Sequence, residues 1–332
     1  MNSEKKWPTF RTGLNPYGLT YHLGLQGKGT PRHNPKGVGL DGFIELGISI
    51  GAKALEIFDP WIGALSDDEV RKVRDKLDAA DIKPIVSTNL FNGDHDMAFR
   101  SADLLGADIM RMALTPVLCG DRAKQDDWQA VSASVAAGIR KLGPRAADLG
   151  KTIAIENHQD FTSQELVDFC EMGPGVGITY DTGNSFPVAE APGDFTNTIA
   201  PHVCLMHLMV YKAHFSDEGF RLVRCATGDG AVPFQDIFSI LGQHHDALTA
   251  VIELPALEAR HVKLFNADWW EGYQPKSAQS LAACLLALQR NKLSEDGDHR
   301  TPWERGADDE LVAYELDMVR KSAENMKQLG IL

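Results

Sequence analysis

Eight short apolar runs, separated by longer segments that include clear amphipathic helix patterns, recur along the 332-residue chain. They are Leu19–Leu23, Ala54–Phe58, Pro84–Thr88, Ile109–Leu114, Thr152–Glu156, Gly177–Asp181, Cys204–Met209 and Thr249–Leu254. Parallel strands need crossovers long enough to hold a helix, so this alternation predicts a parallel sheet with helices outside it. The intervening patterns suit helices. Ser66–Ala80 opens with a Ser and two acids and sets Val70, Val73 and Leu77 on one face. Asp126–Leu149 and Thr162–Met172 read similarly. With eight strands and no break in composition, a single (β/α)8 barrel is expected over residues 18–290, with a doubly wound open sheet as the competing arrangement.

Two additions flank that core. Residues 1–17 read as a polar N-terminal arm containing Pro8 and Pro16. Residues 291–332 read as a hydrophilic linker, SEDGDHRTPWERG, and a helix from about Asp309 to Leu329. Val312, Leu316, Val319, Ala323 and Met326 give that helix an apolar stripe, expected to pack on its own barrel in preference to a second subunit.

The formal net charge is −13, with the acids spread along the chain, which argues against a nucleic-acid partner. No apolar run approaches the ~18 residues of a membrane span, and MNSEKKWPTF lacks the apolar core of a signal peptide, so a cytoplasmic protein is expected. Five scattered cysteines without a CxxC pair fit reduced thiols.

The chemistry gathers at four strand ends. IAIE ends at Glu156, VGITYD at Asp181, CLMHLMV carries His207 and AVIELP carries Glu253. In a barrel those ends meet at one mouth. Strand alternation sends Thr152, Ala154 and Glu156 inward, with Thr179 and Asp181, and Val251 and Glu253, in the same phase. Three inward carboxylates repel one another unless a cation joins them. Oxygen-rich ligation with one imidazole suits Mn²⁺ or Mg²⁺, then Co²⁺ or Zn²⁺. The competing account gives each acid its own Lys or Arg and makes His207 a core histidine.

IENH, DTGN, the His207 strand, IELP and TGDGAVPF (Thr227 to Phe234) together resemble the xylose isomerase-like, sugar phosphate isomerase/epimerase superfamily of metal-dependent TIM barrels. The resemblance implies that Glu156, Asp181, His207 and Glu253 bind one divalent ion, most readily Mn²⁺. It implies that a proton is taken from the carbon beside a sugar ketone, with Glu156 and Glu253 as candidate bases. One departure stands out. Where sugar epimerases commonly read Glu-Pro-Leu-Asn, this chain reads Glu156-Asn157-His158-Gln159-Asp160. That ending is more similar to the catalytic subunits of C-glycoside deglycosidases, which act on 3-oxo-glycosides. The likeness implies His158 as base, an enolate that expels the aglycone, an oligomeric enzyme and a small second subunit. Interconversion of free keto-sugars through the same enediolate is the alternative. A loop histidine that only bonds backbone is the plain account of His158.

Weaker candidates surround the mouth. His22, Glu56, Asp59 and Trp61 near the first two strand ends are expected to contact sugar hydroxyls, and Lys212 and Arg224 an oxyanion or hydroxyl. Trp269 and Trp270 suit either stacking on substrate or sealing an interface. YHLGLQGKGTPRHNP reads as a mobile, turn-rich lid.

Overall fold

The computed structural model describes residues 7–332. Its strands are β1 (Thr9–Leu14), β2 (Ala54–Phe58), β3 (Lys83–Asn89), β4 (Ile109–Ala113), β5 (Thr152–Glu156), β6 (Val176–Asp181), β7 (Val203–Leu208), β8 (Tyr211–Ser216), β9 (Gly219–Arg224), β10 (Ala247–Ile252) and β11 (Arg260–Val262). Strands β1 to β7 and β10 close into an eight-stranded parallel barrel, with β10 seated between β7 and β1. The expected (β/α)8 barrel is the architecture. No helix among the described residues is long and apolar enough to cross a membrane.

Side-chain alternation builds the two layers of the core. Ala54, Ile85, Ala154, Leu205 and Val251 fill the barrel interior. Ile153, Ile155, Ile178, Tyr180, Ile252 and Leu254 belong to the outer layer against the helices. Each fully buried aliphatic side chain there contributes roughly 1.5–3 kcal/mol relative to exposure. The inward phase of Ala154 and Val251 is the phase that carries Glu156 and Glu253 to the mouth. Helix starts are chemically explicit: Ser66 and Glu69 form a capping box for Asp67–Ala79, as Thr162 and Glu165 do for Ser163–Cys170.

The first strand corrects the sequence expectation. Thr9–Leu14 pairs with both β10 and β2, whereas the expected strand Leu19–Leu23 is the end of a 3-10 turn (Pro16–Leu19) and the turns after it. Thr9–Leu14 is therefore barrel wall, not arm, while residues 1–6 of the expected arm lie outside the described residues. Polar Thr9, Arg11 and Thr12 mask this strand in the sequence. Gly13 is there for proximity, since a Cβ at that position would lie 1.8 Å from the carbonyl oxygen of Ala54. A second difference is a separate antiparallel sheet, β11-β9-β8, whose strands come from the segments that follow β7 and β10 in the chain.

The C-terminal helix, Leu311–Gln328, packs on its own barrel and buries Leu311, Glu315, Val319, Ser322, Ala323 and Met326. Ser322 Oγ accepts a 2.9 Å hydrogen bond from the amide of Thr227, and Asn325 Nδ2 donates to Thr227 O and Asp229 Oδ1. The expected lid is pinned by the same segment. Arg32 donates from Nε to Asp308 and from Nη2 to Trp303 O (2.7 Å), and stacks 3.5 Å over the Trp303 ring. Glu315 accepts from the amides of Tyr21 (3.1 Å) and His22 (2.8 Å).

Burial lifts the Glu315 carboxyl to about 7, against the pull of Arg224 and the two amides. The folded chain thus holds this proton more tightly than the unfolded chain. Its contribution to stability is complete below the ordinary glutamate range and is lost as pH rises to about 7. Glu315→Gln removes that titration. Between pH 5 and 8 the wild type should lose up to about 3 kcal/mol relative to the variant. Melting temperatures of the two proteins across that range test it, and a constant difference would refute it.

Candidate metal centre

Glu156, Asp181, His207 and Glu253 stand at the C-terminal ends of β5, β6, β7 and β10, and all four are buried. One donor atom from each lies within 4.8 Å of every other. Opposite ligands of an octahedral ion lie about 4.2 Å apart when its bonds are ~2.1 Å, so even the widest separation in this cluster is within about 0.6 Å of what one divalent ion spans. The contacts inside the cluster make the case stronger. His207 Nδ1 lies 2.6 Å from Glu253 Oε2 and 2.9 Å from Glu156 Oε1, yet neither approach has hydrogen-bond geometry. Among the described residues, His207 Nδ1 and Glu156 Oε1 are buried with no hydrogen-bond partner. Lone pairs aimed at one another in this way fit a shared cation, and three oxygens with one nitrogen suit Mg²⁺ or Mn²⁺.

The charges tell the same story. Burial, reinforced by Glu253 and Glu156, pushes the Asp181 carboxyl well above its ordinary range, and Glu253 is raised mainly by burial. Acids short of a counter-charge behave so. Burial would raise Glu156 as well, but Arg111 beside it holds it far below. Burial would lower His207, but Glu56 and Glu253 hold it well above its usual value.

Each donor is held from behind. Asp181 Oδ1 accepts from the amide of Gly183 (2.9 Å) and Oδ2 from Asn184 Nδ2 (2.7 Å). Asn157 clasps the Asp181 backbone through both its amide and its carbonyl, at 2.7 Å each, which locks the ends of β5 and β6 together. Asn15 Nδ2 donates to Glu253 Oε2 at 2.9 Å. Glu56, completely buried on β2, lies 2.7 Å from His207 Nε2. A carboxylate there accepts a hydrogen bond from Nε2–H and leaves the Nδ1 lone pair for the cluster.

A cavity of about 470 Å³ opens above the cluster, lined by Glu253, His158, Tyr17, Arg111, Asn184, Tyr211 and Arg260 among others. His158 bonds the Glu156 carbonyl only through its backbone amide (3.0 Å), and its imidazole has no hydrogen bond to any described residue. Burial pushes that imidazole down to about 4. Gln159, at φ +73°, also lines the cavity and is fixed by the amides of Cys119 and Gly120.

The remaining sequence candidates sit elsewhere. None of His22, Glu56, Asp59, Trp61, Lys212 or Arg224 lines this cavity. His22 offers its amide to Glu315, and Glu56 serves His207. Asp59 is buried at the start of the helix Asp59–Gly63, and Trp61 packs on Phe43 and Phe58. Lys212 belongs to the side sheet, while Arg224 donates to Pro255 O (2.7 Å) and Gly18 O (2.6 Å). Trp269 and Trp270 seal an intramolecular contact: Trp269 bonds Cys119 O (3.0 Å) and stacks on Tyr273, and Trp270 bonds Leu264 O (3.0 Å). Sequence reasoning missed Arg111, Tyr17, Tyr211, Asn184 and Arg260. Arg111 had a signal, as the one charge within the apolar strand IMRMA.

Glu56→Gln keeps a hydrogen-bond acceptor beside His207 but removes the charge. Affinity for Mg²⁺ or Mn²⁺ should fall about 10- to 100-fold with the fold retained, measured by chelator competition alongside circular dichroism. Unaltered affinity would remove Glu56 from any role at the centre.

Residues 44–284 match the family described as xylose isomerase-like TIM barrel. A D-psicose 3-epimerase from Clostridium cellulolyticum H10, solved with D-tagatose, shares 16% identity and a TM-score of 0.53 over 94% of this chain and 99% of its own. Another D-psicose 3-epimerase structure, with D-fructose, shares 19% identity and a TM-score of 0.51 over 85% and 93%. A xylose isomerase-like TIM barrel protein from Mycobacterium smegmatis in complex with magnesium shares 18% and a TM-score of 0.53 over 87% and 100%. At these identities the likeness is one of fold. In sequence, the uncharacterized protein YihM of Escherichia coli is 29% identical over 108 residues, a match spanning 31% of this chain and about a third (33%) of that relative. The match to the family over most of the barrel, joined to the closed parallel architecture, makes this chain a member of the xylose isomerase-like TIM barrel family.

Proposed function

We propose that the protein is a divalent-metal-dependent isomerase or epimerase of keto-sugars, removing a proton from the carbon beside the carbonyl. One observation carries the proposal. Of the groups bordering the cavity next to the cluster, Glu253 and His158 can each exchange a proton, and they come from β10 and β5, the two outer members of the four-strand arc. Taking a proton from one face of a carbon and returning it to the other needs groups on both sides. Glu156 is a weaker base candidate, because it is completely buried and Arg111 engages it.

When bound, a divalent ion supplies positive charge that polarises the carbonyl and offsets the charge left by the departing proton. The chain does the rest. Asn15 orients Glu253, and the turn after Asn157 holds His158 at the cavity wall. Tyr211 Oη and Asn184, 3.4 Å apart and both on the wall, offer hydrogen bonds to sugar hydroxyls. The D-psicose 3-epimerases of similar fold, and the magnesium held by the mycobacterial protein, support this choice of reaction and ion.

Elimination from a 3-oxo-glycoside is the second reading, with the small second subunit and oligomer that it implies. It is favoured by His158 and by the cavity's apolar flank of Phe58, Phe91, Pro116, Leu118 and Leu257, which a free sugar leaves uncovered.

Metal-loaded protein in D2O should wash deuterium into the carbon beside the carbonyl of ketohexoses, with shifted or inverted sugars as products by NMR. His158→Ala should lower that rate about 10²- to 10⁴-fold while metal content is unchanged. Release of an aglycone from 3-oxo-glucosides, with no exchange into any ketohexose, would replace the first reading with the second. Metal loss in the variant would instead make His158 a ligand.

A further inference from the structure

Arg260 differs from the other cations of this chain. It sits on β11, seven residues past Glu253, half-buried in the wall of the cavity. It lies close enough to act electrostatically on His158, Tyr211 and Cys119. Among the described residues nothing accepts a hydrogen bond or ion pair from its guanidinium. The cavity's other cation, Arg111, is committed to Glu156. Glu258, the nearest acid in sequence, is engaged at the rim by Trp303 Nε1 at 2.9 Å.

A guanidinium left without a partner in a concave wall offers a planar fork of donors that matches a carboxylate. We propose that Arg260 binds a carboxylate on the substrate, so that the sugar handled here is a keto-sugar acid whose acid group lies at the end remote from the reacting carbon. The substrate class rests on the enolising function proposed above; the anion site rests on Arg260 alone. A phosphate dianion fits less well. Phosphate sites gather several donors, commonly with a helix N-terminus, and here Glu253 and Glu258 border the same cavity. A single guanidinium beside two acids is matched to a single negative charge. Gln26 and Asn89, which also line the cavity, can serve neutral hydroxyls.

Calorimetry with glucuronate, glucose and glucose 6-phosphate tests the anion site without turnover. Metal-loaded protein should bind glucuronate about 10- to 100-fold more tightly than glucose. Arg260→Gln should abolish that ratio and Arg260→Lys preserve part of it, with melting temperatures confirming folded variants. The ratio should persist after chelator treatment, because the guanidinium and not the ion creates it, and should shrink in high salt. Equal affinities, or a ratio untouched in Arg260→Gln, overturn the proposal. Tighter Arg260-dependent binding of glucose 6-phosphate than of glucuronate also overturns it, in favour of phosphate. Deuterium exchange into fructuronate and fructose separates the two claims. Arg260-dependent binding with no exchange into either sugar leaves the anion site standing and removes the keto-sugar isomerase reading; exchange into both, with the glucuronate ratio absent, does the reverse.

Discussion

Like-charge repulsion at the barrel mouth is the constraint around which the rest of this molecule is arranged. At an effective dielectric of about 20, two unit charges 4 Å apart repel by about 4 kcal/mol, so three ionised carboxylates in one cluster approach the whole stability of a domain. The chain meets part of that repulsion itself, because Arg111 neutralises Glu156. What remains, the raised Asp181 and Glu253, is the part a divalent ion would relieve. Repulsion that stays unrelieved in the protein alone would be the thermodynamic source of affinity for such a cation.

Holding four such groups together requires a stiff frame, and the barrel supplies most of it. The loops after β4 and β5 supply the remainder. Arg122, almost fully buried, donates to Asp160 O through Nε and Nη2 (3.0 and 2.8 Å), to Gly272 O (2.9 Å) and to Glu165. Its guanidinium lies 4.4 Å from the Trp128 ring and 4.0 Å from that of Tyr273. Thr115 adds a 2.8 Å bond to Asp160 Oδ2. The segment that carries His158 is thus fastened on its far side, leaving one face of the imidazole segment toward the cavity. A group meant to meet a substrate within ångström tolerance benefits from this immobility.

Much of this was legible from residue order alone. Period-two alternation is set by covalent geometry, so the phase of Ala154 and Glu156, or of Val251 and Glu253, could be read directly. Capping at Ser66 and Thr162 is equally local. The failures were of another kind. Thr9–Leu14 is a strand because β2 and β10 flank it and Gly13 lets β2 come close, neither of which its own side chains announce. Glu56 looked like a sugar contact from its strand-end position; only the packed barrel puts His207 against it. Arg260 and Tyr211 arrive on the side sheet, whose strands pair with each other and not with the barrel, so counting barrel strands could not find them.

The pinning of the first loop by the C-terminal segment has a consequence for assembly. Tyr21 and His22 find their acceptor in Glu315, 294 and 293 residues further on, and Arg32 finds Asp308 276 residues on. Contacts so distant along a chain close late, since loop entropy must be overcome before they form. During synthesis every barrel strand emerges before the residues that fasten this rim, so the last part of the enclosure to mature is the doorway itself.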